Sequence, residues 1–301
     1  SVADEITVIR GGTTVTTVRP SDVTARQLAE LMVGSELPSP ETRESTVTDV
    51  EVLDVAGLSL ANENGRLVLD GIDLTIHKGE VLGIAGVEGN GQAELVETVM
   101  GMHGPLAGTV RLGDEDITGW STRRRREAGI GYIPEDRTRH GLLLDAPLWE
   151  NRILGHQTQK PNAKGILVDR KGAKADTRRI VEEYDVRTPS IDVMANALSG
   201  GNQQKLIVGR EMSSQPRVLI AAHPTRGVDI GAQASIWEEI RTARDNGLGV
   251  LLISADLEEL IGLSDRIVVM FDGRVTAEID PATATPELLG SYMTGEMQEA
   301  S

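Results

Sequence analysis

The sequence has no cysteine, five histidines and only three Trp, three Tyr and one Phe. Without cysteine there is no disulfide, no thiolate nucleophile and no Cys-ligated metal, a composition compatible with a reducing cytosol. Five scattered histidines do not build a metal cage. Basic residues are short as well: 30 Lys and Arg face 46 Asp and Glu, a formal charge of −16. That balance argues against a general nucleic-acid binder, which needs a Lys/Arg-rich face. It argues equally against retention on anionic lipid by charge alone. Long hydrophobic runs are missing too. Residues 217–222 and 250–253 are among the longest apolar stretches, far short of the roughly 18 residues of a membrane-spanning helix. No leader-like pattern opens the chain, so the composition predicts a soluble, globular, intracellular protein.

What is present begins with a repeat. Residues 4–34 align without a gap over 265–295, an offset of 261, with nine identities in 31 positions. These pair Asp4 with Asp265, Ile6 with Ile267, Val8 with Val269, Gly12 with Gly273 and Pro20 with Pro281; Thr24, Leu28, Met32 and Gly34 match Thr285, Leu289, Met293 and Gly295. Each copy reads as a strand, a glycine turn, a second strand, a proline and a short helix. The chain therefore reads as the tail of one domain followed by a whole related domain. Residues 35–49, polar and containing proline, read as the linker between them.

Beyond the linker, residues 50–60 and 67–76 alternate as antiparallel strands, and 80–87 form an apolar strand running into glycines. Residues 122–205 are charged and read as mostly helical. The runs at 217–222 and 248–254 have the character of buried parallel strands. Between them Ile236, Trp237, Ile240 and Ala243 fall on one helical face, and Asp245, Asn246 and Gly247 supply the stop. Strand–helix–strand alternation with an antiparallel edge predicts an α/β fold.

Four segments carry chemistry. Gly86, Gly89, Asn90, Gly91, Gln92 and Ala93 lie between a strand and a helix with the glycine spacing of a phosphate-binding loop, whose bare N–H groups and helix N-terminus cradle phosphate. The lysine and hydroxyl expected of such a loop are replaced by Gln92 and Ala93. Leu198, Ser199, Gly200, Gly201, Asn202 and Gln203, followed by Gln204 and Lys205, open a helix with a hydroxyl and glycine N–H groups suited to a terminal phosphate; a plain Ser-Gly-Gly cap is the bland alternative. In the segment 217–229, Asp229 suits an ordinary cap of the next helix. Residues 131–137, containing Glu135, precede a helix that would carry Leu148, Trp149 and Ile153, with Trp149 in the core. The run Arg123–Arg126 spreads around a helix and reads as a solvated face.

The segment from Leu198 to Lys205, LSGGNQQK, resembles the signature motif of ATP-binding-cassette (ABC) ATPases in the form found in sugar and nucleoside importers. The resemblance extends over residues 50–295, with 1–34 similar to the end of a preceding cassette. It implies a P-loop NTPase (RecA-like) α/β core with an antiparallel β subdomain and an inserted α-helical subdomain at about 136–205. The implied boundaries are 1–34 for the tail, 35–49 for the linker and 50–297 for the second cassette. The loop GVEGNGQA, the Pro-Glu-Asp-Arg at 134–137, the segment AAHPTRG and the Ser-Asp-Arg at 264–266 resemble nucleoside importers more than ribose importers.

Laid on the family pattern, four catalytic devices are absent together. Gln92 stands for the phosphate-loop lysine and Ala93 for the Mg²⁺ hydroxyl. Ala222 and His223 replace the Walker B carboxylates and Ala255 the switch histidine; in a further departure, Glu135 stands for the Q-loop glutamine. No metal site is expected in this chain, and nucleotide binding in its own loop is expected to be weak or Mg²⁺-independent. With no carboxylate beside it to hold Mg²⁺, His223 is a poor substitute base. The signature and the D-loop Asp229 are intact, so the resemblance implies that they complete an ATP–Mg²⁺ site in the first cassette of the same polypeptide. The implied partners are that cassette, transmembrane permease subunits and, indirectly, a solute-binding protein, at the cytoplasmic face of the plasma membrane. Two alternatives compete: a soluble tandem-cassette protein of ribosomes or DNA, which the −16 charge disfavours, and a non-catalytic dimerisation or regulatory cassette.

Overall fold

The computed structural model describes residues 3–10, 12–33 and 45–295. Most of the expected linker, Gly34 and the expected domain end at 297 lie outside the described residues. A six-stranded sheet forms the centre, in the order Arg274–Ile279, Arg266–Phe271, Val81–Ala85, Gly249–Ile253, Val218–Ala222, Ile130–Ile133. All neighbours are parallel except the outer hairpin of 266–271 with 274–279. Every residue of the strands at 81–85, 218–222 and 249–253 is buried, which is why they read as continuous apolar runs instead of alternating ones.

Alternate residues of those strands serve opposite cores. Leu82, Ile84, Val218, Ile220, Leu251 and Ile253 join Leu53, Val55, Leu58, Leu69 and Ile72 of an antiparallel sheet ordered Leu67–His77, Glu51–Ala61, Ala107–Leu112, Glu115–Asp116. The helix Gln92–Val99 fills the space between the two sheets with Leu95, Val96 and Val99. On the other face Val81, Leu219, Val250 and Leu252 pack against Leu206 and Ile207 of helix Gly200–Met212, Ile236, Trp237 and Ile240 of helix Ile230–Asp245, and Leu260 and Leu263 of helix Leu257–Leu263. The apolar face read from the sequence in 236–243 and its stop at Asn246 and Gly247 are both present.

The repeat is reproduced bond for bond. Strands Ile6–Arg10 and Thr13–Val18 pair Ile6 with Val18 and Val8 with Thr16, then shift register before Ile9 meets Thr14. The later hairpin pairs Ile267 with Ile279 and Val269 with Ala277, then shifts before Met270 meets Val275. Both turns use a glycine in the left-handed region, Gly12 at φ 79° and Gly273 at φ 75°. The equivalent helices are Ala25–Val33 and Pro286–Met293.

Two expectations need correction. Residues 122–205 are not mostly helical: the helices Thr122–Glu127, Leu148–Ile153 and Arg170–Glu183 are separated by the strand Ile130–Ile133, turns, and a small hairpin of Ala163–Lys164 with Leu167–Val168. Charged composition favours helix but does not separate it from polar turns. Nor is the whole arginine run a solvated face: Arg123 and Arg124 are exposed, but Arg125 and Arg126 turn inward. Arg125 is 1% exposed and donates to the carbonyls of Thr98, Val99, Thr118 and Trp120, closing the C-terminal end of the Gln92–Val99 helix. Arg126 donates to both carboxylate oxygens of Glu211, at 3.1 and 2.8 Å. Trp149 is half-buried, with the Arg170 and Lys174 cations 6.0 and 5.4 Å from its ring centroid.

Glu211 is fully buried and also accepts from Arg210 Nε at 2.8 Å and from the Tyr132 N–H at 3.1 Å. Burial alone would raise its pKa, but Arg210 and Arg126 outweigh burial and hold the carboxyl well below its ordinary value. A depressed folded pKa contributes stability above the unfolded value near 4.5 and loses it as pH falls towards the folded one. Glu211→Gln, which leaves two guanidinium groups uncompensated, is expected to cost about 3–5 kcal/mol at neutral pH. In urea melts at stepped pH the wild type should weaken below about pH 4.5 and the variant should weaken less steeply; parallel curves would refute the assignment.

Candidate functional site

The phosphate-loop candidate lies where strand Val81–Ala85 ends and helix Gln92–Val99 begins, at the carboxyl edge of the central sheet, where open α/β sheets bind ligands. Gly91 caps the helix at φ 103°, and a side chain there would meet the Val68 carbonyl at 2.8 Å. Only glycine fits both constraints. The Asn90 N–H donates to the Val87 carbonyl at 3.2 Å, while Asn90 Oδ1 accepts the Asp272 N–H at 3.1 Å, tying the loop to the outer hairpin. The first-turn N–H groups have no intrahelical partner and remain available for an anion. Gln92 is nevertheless folded back onto the loop: it is 8% exposed and its Nε2 donates to the Val87 carbonyl at 3.2 Å. That places a neutral amide where a phosphate-loop lysine would bring charge. Ala93 is an exposed methyl.

Two adjoining clefts of about 620 and 560 Å³ open beside the loop and share Glu88, Gln92, Ala93, Glu135, His223, Arg226 and Ile253. His223 follows Ala222 at the end of strand Val218–Ala222, at the strained φ of 49°. The Ala255 N–H donates to His223 Nδ1 at 3.2 Å. The histidine and alanine positions thus touch each other, and with Nδ1 accepting, the neutral ring carries its proton on Nε2. Burial holds the imidazole below its ordinary pKa, opposed by Glu135 and reinforced by Arg226. Glu135 is ion-paired with Arg226. Among the described residues no group of three His, Cys, Asp or Glu side chains is placed to hold a metal, and Ala93 and Ala222 offer no oxygen. The donor set in this cleft does not fit a magnesium ion.

The segment Leu198–Gln203 has a different character. Ser199 caps helix Gly200–Met212 and is exposed; its hydroxyl accepts from Asn202 Nδ2 at 2.8 Å. Asn202 Oδ1 in turn accepts the Arg187 N–H at 2.7 Å, and Gln203 Nε2 donates to the Ala195 carbonyl at 3.0 Å. Leu198 and Gly201 are buried, and a side chain at Gly201 would lie 2.9 Å from Ala232 Cβ and 3.0 Å from Asp229 Oδ2. Asp229 caps helix Ile230–Asp245 by accepting the Ala232 N–H at 2.9 Å. The ordinary cap and the proximity to the glycine-rich helix end are both realised.

Sequence reasoning missed two side chains that organise these loops. Arg137 donates to the carbonyls of Arg226 (2.7 Å) and Gly227 (3.3 Å) and to Gln203 Oε1 (3.4 Å), joining the segment after strand Ile130–Ile133 to the Asp229 loop and helix Gly200–Met212. Glu259, 1% exposed, accepts from Thr225 Oγ1 (2.7 Å), Trp237 Nε1 (2.8 Å) and Ser254 Oγ (2.6 Å). Burial raises its pKa against these three hydrogen bonds. Its one sequence signal was an acid next to Leu260 on the buried face of a helix whose neighbour carries an indole N–H.

The profile of the ABC transporter family matches residues 69–226, just over half of the chain. Among curated proteins, the guanosine import ATP-binding protein NupO of Bacillus subtilis is 42% identical over 299 residues, covering 99% of this chain and 58% of that protein. The nucleoside import ATP-binding protein NupA of Lactococcus lactis is 39% identical over 295 residues, covering 98% and 58% respectively. The chain thus spans well under two thirds of the length of these relatives. Among solved structures, a nucleotide-free ATP-binding cassette from an ABC transporter superposes with a TM-score of 0.69 at 22% identity, covering 80% of this chain and 98% of that one. The fold is that of the ABC ATPase cassette, an α/β P-loop NTPase core, and the chain belongs to the ABC transporter family.

Proposed function

We propose that residues 50–297 form the second of two cassettes in an energy-coupling subunit of a nucleoside or simple-sugar importer, preceded by the end of the first cassette in residues 1–34. The observation that carries this reading is the contrast between the two half-sites. Ser199 and the N-terminus of helix Gly200–Met212 are exposed and furnished with donors, whereas at the loop Gly86–Ala93 the Gln92 side chain is folded back onto the chain, the nearby Arg226 is paired with Glu135, and among the described residues no group of three His, Cys, Asp or Glu is placed to hold a metal. Phosphoryl transfer depends on charge neutralisation and positioned water, and this chain's own cleft supplies neither. Its signature helix is therefore assigned to the site whose phosphate loop lies in the first cassette, with ATP and Mg²⁺ held there. Its own loop is assigned a non-catalytic role, with weak or Mg²⁺-independent nucleotide binding.

The repeated hairpin supports the tandem arrangement. Met270 is fully buried between the two sheets, whereas its counterpart Ile9 is 64% exposed in the same backbone register. A hairpin that keeps its pairing but lacks a cover for one face suits a fragment whose own core lies elsewhere in a longer polypeptide. The relatives' names support a nucleoside as the solute class. The partners in this reading are the first cassette, permease subunits and, through them, a solute-binding protein, at the cytoplasmic face of the plasma membrane. A ribosome- or DNA-directed role is disfavoured by the charge of −16.

In the full-length protein, Ser199→Arg fills the exposed helix end and is expected to lower ATPase turnover by about a hundredfold or more; turnover near wild type would sink the composite-site assignment. The 301-residue chain alone is expected to release phosphate from ATP no faster than a buffer control, and a robust Mg²⁺-dependent rate would show that Gln92, Ala222 and His223 do not disable the loop.

A further inference from the structure

The small hairpin of Ala163–Lys164 with Leu167–Val168 plays no part in either half-site. Its tip carries Ile166 at 102% exposure, with Leu167 at 70% and Val168 at 48%. Elsewhere among the described residues the exposed large apolar side chains occur singly; only here do three follow one another. Flanking the tip in the sequence are Lys160, Lys164, Arg170 and Lys171, all exposed. The ion pairs nearby belong to others: Lys174 pairs with Asp192, and Arg152 and Arg179 with Asp176. Between residues 155 and 175 the one acid is Asp169, and its carboxylate is occupied by the Gly172 N–H at 2.9 Å as a helix cap. In a chain with 16 more acids than bases, this segment has five cations to one acid.

We propose that this hairpin is a cationic finger with an apolar tip that inserts into the anionic headgroup region of a lipid bilayer. Three observations favour lipid over a protein surface. The turn residue Ile166 is fully exposed, so the apolar tip projects from the chain. Its strands, two residues each, are too short to offer a ladder edge to a partner chain. The exposed cations that flank the apolar residues in the sequence form none of the ion pairs found among the described residues, an arrangement that suits mobile anionic headgroups above an apolar interior. Trp149, half-buried under Arg170 and Lys174, supplies an amphipathic ring of the kind that settles at such an interface. The chain-wide charge does not oppose this, because at about 0.1 M salt a bilayer senses only charges within about 10 Å. The inference is independent of the ATPase assignment, since none of these residues lines either half-site.

Flotation of the chain with vesicles tests it. Binding is expected to vesicles mixing phosphatidylglycerol with phosphatidylcholine and not to phosphatidylcholine alone, and to be released at about 1 M salt. Lys164→Gln with Lys171→Gln should weaken it roughly fivefold per charge removed. Ile166→Ser with Leu167→Ser should weaken it about tenfold or more. All four side chains are exposed, so circular dichroism should be unchanged in both variants. Absence of binding, binding indifferent to phosphatidylglycerol, or binding equal in wild type and both variants overturns the proposal. So does loss of permease co-purification in the variants with vesicle binding intact, which would assign the finger to a protein contact.

Discussion

The placement of Ser199 and the N-terminus of helix Gly200–Met212 depends on one buried carboxylate. Glu211 lies near the end of helix Gly200–Met212, where it binds Arg126, Arg210 and the Tyr132 N–H. Arg210 in turn donates to the carbonyls of Gly141 and Asn151. The far end of the helix is thereby fastened to the edge strand of the central sheet, to helix Thr122–Glu127 and to helix Leu148–Ile153. Twelve residues towards the N-terminus, about 18 Å along a helix, stands Ser199. A rigid rod clamped at one end by charges that cannot be separated cheaply holds a donor-lined terminus out towards solvent at the other. The small contacts at Gly201, Asp229 and Arg137 then fix its direction.

The cleft beside the phosphate loop is ordered just as carefully but by groups that supply no net attraction for phosphate. Glu259 joins the Thr225 loop, the Trp237 helix and the Ser254 loop from beneath. Glu135 neutralises Arg226, and Arg137 spends its donors on carbonyls. His223 and Ala255 share a hydrogen bond across the cleft mouth. At the positions compared with the catalytic devices stand a neutral imidazole, a neutral amide and methyl groups, with the Glu88 carboxylate beside them. Such a surface can order loops against a neighbouring domain, but it lacks the preorganised charge that lowers a phosphoryl-transfer barrier.

Much of the fold was legible because burial leaves a simple trace. Strands covered on both faces read as unbroken apolar runs, and 217–222 and 248–254 read that way, within a residue of the strands Val218–Ala222 and Gly249–Ile253. The helix at 230–245 showed its face and its stop. The repeat was visible as nine identities and proved to include the register shift after Val8 and Val269. The misreadings share one cause. Arg125 and Arg126 look like solvated charge until partners distant in sequence are known: the carbonyls of Thr98 and Val99, and Glu211. Helical periodicity describes which side chains share a face, not what that face meets. Glu259 was overlooked for the same reason, since its three donors come from three separate elements.

Averages conceal as much as periodicity does. A formal charge of −16 describes the solubility and long-range field of the chain, yet side-chain placement divides it unevenly. Many acids are absorbed locally, as caps such as Asp229 and Asp256 or as buried acceptors such as Glu211 and Glu259. Others are paired across elements, as Asp265 is with Arg244 and Glu80 with Arg266. Cations are treated likewise in the core but not around the 163–168 hairpin, where four stand without carboxylates. An acid committed to a cap or an ion pair contributes little field beyond it, whereas an uncommitted exposed cation acts over the full screening length. The charge that governs what approaches a surface is the unpaired charge within that distance. By that measure one small, apolar-tipped region of this acidic protein is basic.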